Sequence, residues 1–332
     1  IRQDIIDEYG SKIKIVYTPL HGTGNIPVRR VLSELGYSNV KVVKEQEEPN
    51  GNFPTAPYPN PEMPQVFELA LEMAKQESPD IIFGTDPDCD RIGVVVKESN
   101  GEFKVLTGNQ TGLLLTHYVL SALKETNSLP ENGVVIKTIV TTEGARKIAE
   151  DFGIELMDVL TGFKYIGEKI REFRESGDKK YLFGFEESYG YLAGEFVRDK
   201  DAVVASMLVC EMAAYYKKQG KSLAEVIDGL YEEFGYYLNQ TYSFEFDGAA
   251  GMQKMSDIMT AVRDNTPKSI AGYDVVKVSD YFLRKETDVA TGSVTDIDLP
   301  KSNVIALHLA DDNAVIIRPS GTEPKIKLYI TS

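Results

Sequence analysis

Tryptophan is missing from the 332 residues, and cysteine occurs only twice, at Cys89 and Cys210. Two thiols so far apart cannot form a disulfide framework, so the expected setting is a reducing cytoplasm with both thiols free and buried. The longest apolar stretches, Leu113 to Leu115 and Val134 to Val140, fall well short of the roughly 20 residues that span a bilayer, and no membrane partner is expected. A basic run is also lacking. With 51 acidic against 36 basic side chains the formal charge is -15, a field that repels nucleic acid. The chain opens Ile1-Arg2-Gln3-Asp4, without an initiator methionine or the basic-then-apolar layout of a secretion signal, and the expectation is that an upstream part has been removed.

What is present reads as a large folded protein. The hydrophobic fraction of 42% and charged fraction of 26% are globular values. The length exceeds one ordinary core and predicts two or three domains. Ile13 to Tyr17 reads as a strand, Pro19 to Asn25 as a turn, and Val28, Val31, Leu32 and Leu35 as the apolar stripe of a helix closed by Gly36. Val40 to Val43 resumes extended structure, and this β-α-β unit predicts a parallel sheet. Six prolines between 49 and 64 deny that segment a helix or a ladder, so a long ordered loop is predicted.

Ile81-Ile82-Phe83 reads as a buried strand that delivers an acidic loop. A second α/β region opens near Gly108, with helices over about 111–124, 142–152, 201–218 and 223–234 and a strand over 134–140. The last boundary is placed near Gly235. Beyond it come the alternating Tyr242, Phe244 and Phe246, a helix over 251–263, and strands at 304–307 and 314–317, which together suggest a small α+β domain.

In the loop Asp86-Pro87-Asp88-Cys89-Asp90-Arg91 the carboxylates recur at every second position, and an extended backbone would project all three to one side. Such a cluster calls for a divalent cation or for shifted protonation, and magnesium suits the hard oxygens. An EF-hand is excluded because Arg91 and Lys97 stand where glycine and glutamate are required. The run Arg318-Pro319-Ser320-Gly321-Thr322-Glu323-Pro324-Lys325 offers a guanidinium fork, hydroxyls and a flexible backbone, all groups that bind phosphate. By composition it is equally an ordinary turn. Glu186, Glu187 and Ser188 hold acceptors suited to sugar hydroxyls, and Lys164 follows Thr161-Gly162-Phe163. His21-Gly22-Thr23-Gly24 is no dinucleotide fingerprint, since Pro27 takes the third glycine position. His21 reads as a hydrogen-bonded loop residue, and His117 and His308 as structural.

Taken together and in order, TPLHGTG at 18–24, GNFPT at 51–55, DPDCDR at 86–91, TGFK at 161–164, FEES at 185–188 and RPSGTEPK at 318–325 resemble the α-D-phosphohexomutase superfamily, with the nearest likeness to bacterial phosphoglucomutase/phosphomannomutase. The resemblance implies an α/β protein: two tandem α/β domains with mainly parallel mixed sheets, at 1–107 and 108–235, followed by a small α+β domain at 236–332. It also implies a phosphoserine on a preceding domain, and no Ser-His-Asn-Pro signature occurs here. That missing N-terminal domain of the same protein is then a partner, alongside a small-molecule phosphosugar substrate.

By the same resemblance Asp86, Asp88 and Asp90 would hold Mg²⁺, and Arg91 would neutralise charge at the transferring phosphoryl. Lys164, Glu186 and Ser188 would bind the sugar, and Arg318, Ser320, Gly321 and Thr322 the other phosphate. A cleft between domains with a hinge near Gly235 is expected. Two other readings are a haloacid-dehalogenase-type phosphatase or mutase with an Asp nucleophile, although Asp90 stands where that motif has threonine, and a non-catalytic phosphosugar-binding protein.

Overall fold

The computed structural model describes residues 1–246, 248–321 and 324–332, with 248 and 249 described by backbone alone. They form two compact units, Ile1–Tyr236 and Tyr237–Ser332. Among the described residues no helix is long and apolar enough to cross a membrane.

The first unit opens with α1 (Gln3–Tyr9), β1 (Ile15–Thr18), α2 (Asn25–Leu35), β2 (Val40–Val42), α3 (Glu68–Glu77), β3 (Ile81–Thr85), β4 (Ile92–Lys97) and β5 (Phe103–Val105). Their sheet has the order β2-β1-β3-β4-β5; the first three strands are parallel, and β4 and β5 return antiparallel. The helix stop expected at Gly36 is a left-handed residue, φ +113°, whose N–H donates to the carbonyls of Leu32 and Ser33. From Pro49 to Met63 the proline-rich segment is irregular, and it ends in a single 3₁₀ turn at Pro64–Phe67. Prolines remove the N–H donors that either a helix or a ladder would need.

Next come α4 (Gly108–Glu125), β6 (Gly133–Thr138), α5 (Gly144–Asp151), β7 (Glu155–Val159), α6 (Phe163–Ser176), β8 (Lys180–Glu186), β9 (Gly190–Ala193), α7 (Ala202–Lys218) and α8 (Leu223–Phe234). The sheet order is β7-β6-β8-β9, parallel except for β9. A capping box sets the start of α4 earlier than its apolar stripe: the Thr107 side chain accepts from Gln110 N–H, and the Gln110 side chain accepts from Thr107 N–H. Both sheets are thus mixed and mainly wound as expected, yet they share one hydrophobic cluster. It runs from Tyr17 and Phe83 to Phe183, Phe185 and Tyr191, and α7 packs against β3 and β4 of one sheet and β9 of the other.

Gly112 lies under Phe185 in this shared core; a Cβ there would sit 2.1 Å from a ring carbon. Gly112→Ala is therefore expected to destabilise the protein by about 1–3 kcal/mol despite alanine's better helix propensity, read as a lowered midpoint in urea unfolding.

The second unit contains β10 (Asn239–Glu245), α9 (Gly248–Asp264), β11 (Ser269–Ile270), β12 (Tyr273–Asp280), β13 (Lys285–Asp288), β14 (Val294–Asp296), β15 (Ile305–Leu309), β16 (Ala314–Pro319) and β17 (Lys325–Thr331). An antiparallel sheet runs β10-β17-β16-β15-β12-β13-β14, with β11 paired to β12. Its core gathers Met259 of α9 with Val275, Ile305, Leu307, Leu309 and Val315. The alternating aromatics do mark a strand, but Tyr242 and Phe244 are about half exposed. Alternation fixed the local conformation without fixing which face is covered.

Candidate functional site

Strand β3 is buried along its whole length and runs directly into Asp86. The acidic loop differs from the extended form that its spacing suggested: it is a tight turn. Cys89 adopts a left-handed conformation, φ +59°, and its N–H donates to the Asp86 carbonyl. Asp86 Oδ1 accepts from both Asp90 N–H and Arg91 N–H at 2.9 Å. An aspartate that binds the backbone ahead of it closes the turn in the manner of an Asx motif. The three carboxylates converge because of this turn, each offering an oxygen within 4.8 Å of the others.

This arrangement is short of positive charge. Burial pushes the Asp86 carboxyl up to about 7; the bond from Arg91 N–H opposes the rise, and the neighbouring Asp90 and Asp88 charges reinforce it. Hard oxygens that converge and resist ionisation together fit a divalent cation. Two side chains bring partial compensation. Arg91 donates to Glu62 at 3.0 Å, with its Nε 3.6 Å from Asp90 and 3.9 Å from Asp86, while Lys200 Nζ lies 2.7 Å from Asp90. Neither Glu62 nor Lys200 stands out in the sequence.

The loop at 18–24 braces the acidic turn. Thr23 donates both N–H and Oγ1–H to the Pro87 carbonyl, at 2.8 and 3.0 Å. Gly22 packs so closely that a Cβ would lie 2.5 Å from Pro87 Cα. His21 is buried, its Nε2 2.9 Å from Thr55 Oγ1 and its Nδ1 3.2 Å from the Glu48 carbonyl, so it ties down the proline-rich segment. His117 in α4 meets Tyr216 Oη at 2.7 Å, and His308 in β15 meets Ser279 Oγ at 3.0 Å. All three histidines are hydrogen-bonded, as expected of His21, and His117 and His308 lie in regular elements.

Glu186 ends β8, and the turn through Ser188 and a left-handed Tyr189 leads into β9. Glu186 is buried and accepts from Gly162 N–H at 2.9 Å, which joins the segments 161–164 and 185–188. Burial raises its carboxyl above the ordinary range, while the Gly162 bond and the charges of Lys200 and Arg91 hold it down. Gly162, at φ +120°, occupies backbone space that favours glycine. Ser188 is half-buried; Lys164 is exposed in the first turn of α6 with its ammonium 4.8 Å from the Tyr165 ring. A recess of about 510 Å³ is lined by Lys164, Tyr165, Glu168, Arg171 and Arg198. The acidic turn and this hairpin are directly joined: Ile92 N–H donates to the Tyr189 carbonyl at 3.1 Å, and Arg91 bridges Gly190.

In the second unit Arg318 lies near the end of β16 and donates to Tyr329 Oη at 3.3 Å. Ser320 N–H donates to the Lys325 carbonyl at 2.7 Å, closing the turn. Arg318, Ser320 and Gly321 line a recess of about 360 Å³ together with Met255, Ser256 and Asn303. Thr322 lies outside the described residues.

Family models described as phosphoglucomutase/phosphomannomutase alpha/beta/alpha domain II, alpha/beta/alpha domain III and C-terminal domain match residues 3–101, 107–234 and 285–332. A phosphoglucomutase of Staphylococcus saprophyticus is 40% identical over 318 residues, covering 96% of this chain and 57% of the relative. One from Staphylococcus epidermidis is 38% identical over 321 residues, covering 97% and 58%. The chain therefore spans somewhat over half the length of the curated relatives it matches. Among solved structures, the exocytosis-sensitive phosphoprotein pp63/parafusin of Paramecium, a phosphoglucomutase, superposes with a TM-score of 0.69 at 18% identity, over 100% of this chain and 55% of that one. A phosphoglucomutase/phosphomannomutase family protein of Burkholderia thailandensis gives 0.65 at 16% identity, over 99% and 60%. These last two speak to the fold alone.

Proposed function

Since the chain belongs to the phosphoglucomutase/phosphomannomutase family, we propose that it is the metal-, sugar- and phosphate-binding part of a phosphohexose mutase that interconverts hexose 1-phosphate and hexose 6-phosphate. In this reading residues 1–107 carry the metal loop, 108–235 the sugar loop and 236–332 the phosphate loop. A phosphoserine outside this chain exchanges its phosphoryl group with the sugar through a bisphosphorylated intermediate. The observation that carries the proposal is the joining of the Asp86, Asp88 and Asp90 cluster to the hairpin of Glu186.

Asp86, Asp88 and Asp90 would hold the cation, for which Mg²⁺ is the proposed identity. When bound, it would offset negative charge on the phosphoryl group in transfer. Arg91, whose guanidinium lies beside Asp90 and Asp86, adds a second positive charge at that end. Glu186 presents a buried carboxyl fixed by Gly162, a rigid acceptor for sugar hydroxyls, with Ser188 following it. Lys164 helps to place the substrate, and Arg318, Ser320, Gly321 and Thr322 take the phosphate that is not being transferred. The Asp-nucleophile alternative draws no support from the matches, and Asp86 Oδ1 is already engaged by two backbone N–H groups.

The test uses this chain and a longer protein that includes the segment before it. The chain alone is expected to bind hexose phosphate weakly in calorimetry and to show no turnover, whereas the longer protein converts one ester into the other in a Mg²⁺-dependent way. Turnover by the chain alone, or failure of the longer protein to convert either ester, would overturn the proposal. Arg318→Ala is expected to weaken phosphosugar binding by about 1.5–3 kcal/mol, the usual worth of a charged hydrogen bond. Unchanged calorimetric affinity would remove Arg318 from the site.

A further inference from the structure

Lys200 lies in the connection between β9 and α7, and its side chain is only 14% exposed. The backbone that follows it is anchored. Asp201 N–H donates to the Tyr191 carbonyl of β9, and Ala202 N–H donates to the Cys89 carbonyl of the acidic turn, both at 3.1 Å. Asp201 also caps α7, accepting from the N–H groups of Val203 and Val204 at 2.8 and 3.1 Å. The stem of Lys200 passes over Gly190, where a Cβ would come within 2.6 Å of its Cδ. Its ammonium ends 2.7 Å from Asp90 and 3.3 Å from the exposed Asp199.

A lysine held this tightly gives up hydration and side-chain freedom, and ordinary surface ion pairs offset little of that cost. Here the ammonium sits at the junction of two loops. It grips Asp90, whose own N–H is bonded to Asp86, while its stem rests on the residue that begins β9 after the Glu186 hairpin. Removing this positive charge from a cluster of three carboxylates leaves Arg91 as the other nearby cation and strengthens their mutual repulsion, which works against the closed turn.

We propose that Lys200 is a positioning residue that stands in for the divalent cation, keeping the acidic turn closed against the sugar-binding hairpin while no metal is bound. The inference rests on the proposed metal site and adds a residue to it. With a divalent ion in place, the lysine becomes dispensable for the shape of the turn; without one, it supplies the positive charge that the turn needs.

Hydrogen exchange on this chain tests it. In metal-free buffer Lys200→Met should speed exchange of the Cys89, Asp90, Arg91 and Ile92 amides at least about tenfold, with Phe83 in β3 unchanged. Lys200→Arg should keep them slow. Added Mg²⁺ should restore slow exchange to Lys200→Met. Unchanged exchange at the turn, or acceleration spread equally through β3, would overturn the proposal; the second outcome would mark a merely structural lysine. Calorimetry of the unaltered chain with Mg²⁺ separates the two readings. If the unaltered chain binds Mg²⁺ but the ion does not rescue Lys200→Met, the stand-in role alone fails. If the unaltered chain binds no Mg²⁺, the metal site itself fails and the stand-in role falls with it.

Discussion

Asp88→Ala is expected to lower Mg²⁺ affinity by at least about a hundredfold while leaving stability within about 0.5 kcal/mol. Loss even of residues that only support a metal's ligands typically costs 10–100-fold, and loss of a ligand should cost no less. Asp88 is exposed, so its removal leaves no buried polar group behind. Asp86→Ala should differ in kind. Its carboxylate accepts the N–H groups of Asp90 and Arg91, and leaving those donors unsatisfied costs about 1–3 kcal/mol each, so binding and stability should fall together. Calorimetric titration and urea unfolding of the two variants separate these effects; equal loss of stability in both would contradict the turn geometry.

The raised Asp86 pKa adds a pH signature. With the folded value near 7 and the ordinary value at 3.8, this group favours the folded state most below about 3.8, and its contribution is lost as pH rises through about 7. A cation binds the ionised carboxylate. Mg²⁺ affinity should therefore climb as pH rises through about 7, and calorimetry across that range should show proton release on binding. A pH-independent affinity would contradict the assignment of Asp86 as a ligand.

Lys137→Met is expected to destabilise the first unit by about 3 kcal/mol, the low end for breaking a buried ion pair because its partners are partly exposed. Lys137 is fully buried in β6, 2.7 Å from both Glu143 and Asp158, and Arg146 joins the same two carboxylates. Two cations and two anions balance. Without Lys137, Arg146 is left to serve both acids. Burial by itself would raise the Glu143 carboxyl, yet Lys137 and Arg146 pull it down to about 2. Its stabilising contribution is present above the ordinary value of 4.5 and is lost as pH falls toward about 2. Acid unfolding of the unaltered chain should show this contribution fading below pH 4.5, and Lys137→Met should show a smaller part of it. An unchanged urea midpoint for Lys137→Met would mean that the network carries no stability.

Much of the site was legible because its parts are local. The run Ile81 to Phe83 announces a buried strand, and the aspartates that follow sit where a strand end can present them. Six prolines exclude regular structure without any knowledge of what surrounds them. The spacing of the aspartates nevertheless suggested the wrong local geometry. Alternation brings side chains together only in an extended chain, whereas here Asp86 binds the backbone ahead of it and Cys89 turns left-handed. Helix α6 is also not among the helices that the periodicity predicts, because the glycine before it reads as loop, although Ile166, Ile170 and Phe173 bury one of its faces.

The residues that complete the site came from elsewhere in the chain. Glu62 reaches Arg91 from the proline-rich segment, and Lys200 reaches Asp90 from the connection between β9 and α7. Nothing about a lone lysine in a charged stretch distinguishes it from a solvated one. The amino-acid sequence alone determined most of the strands and helices and the loops that hold carboxylates, hydroxyls and a guanidinium, because propensity, periodicity and proline act over a few neighbours. Only the tertiary structure decided which charges meet and which sheets share a core. Those pairings depend on where the winding of the chain brings distant segments, and on which buried charges must find a partner there.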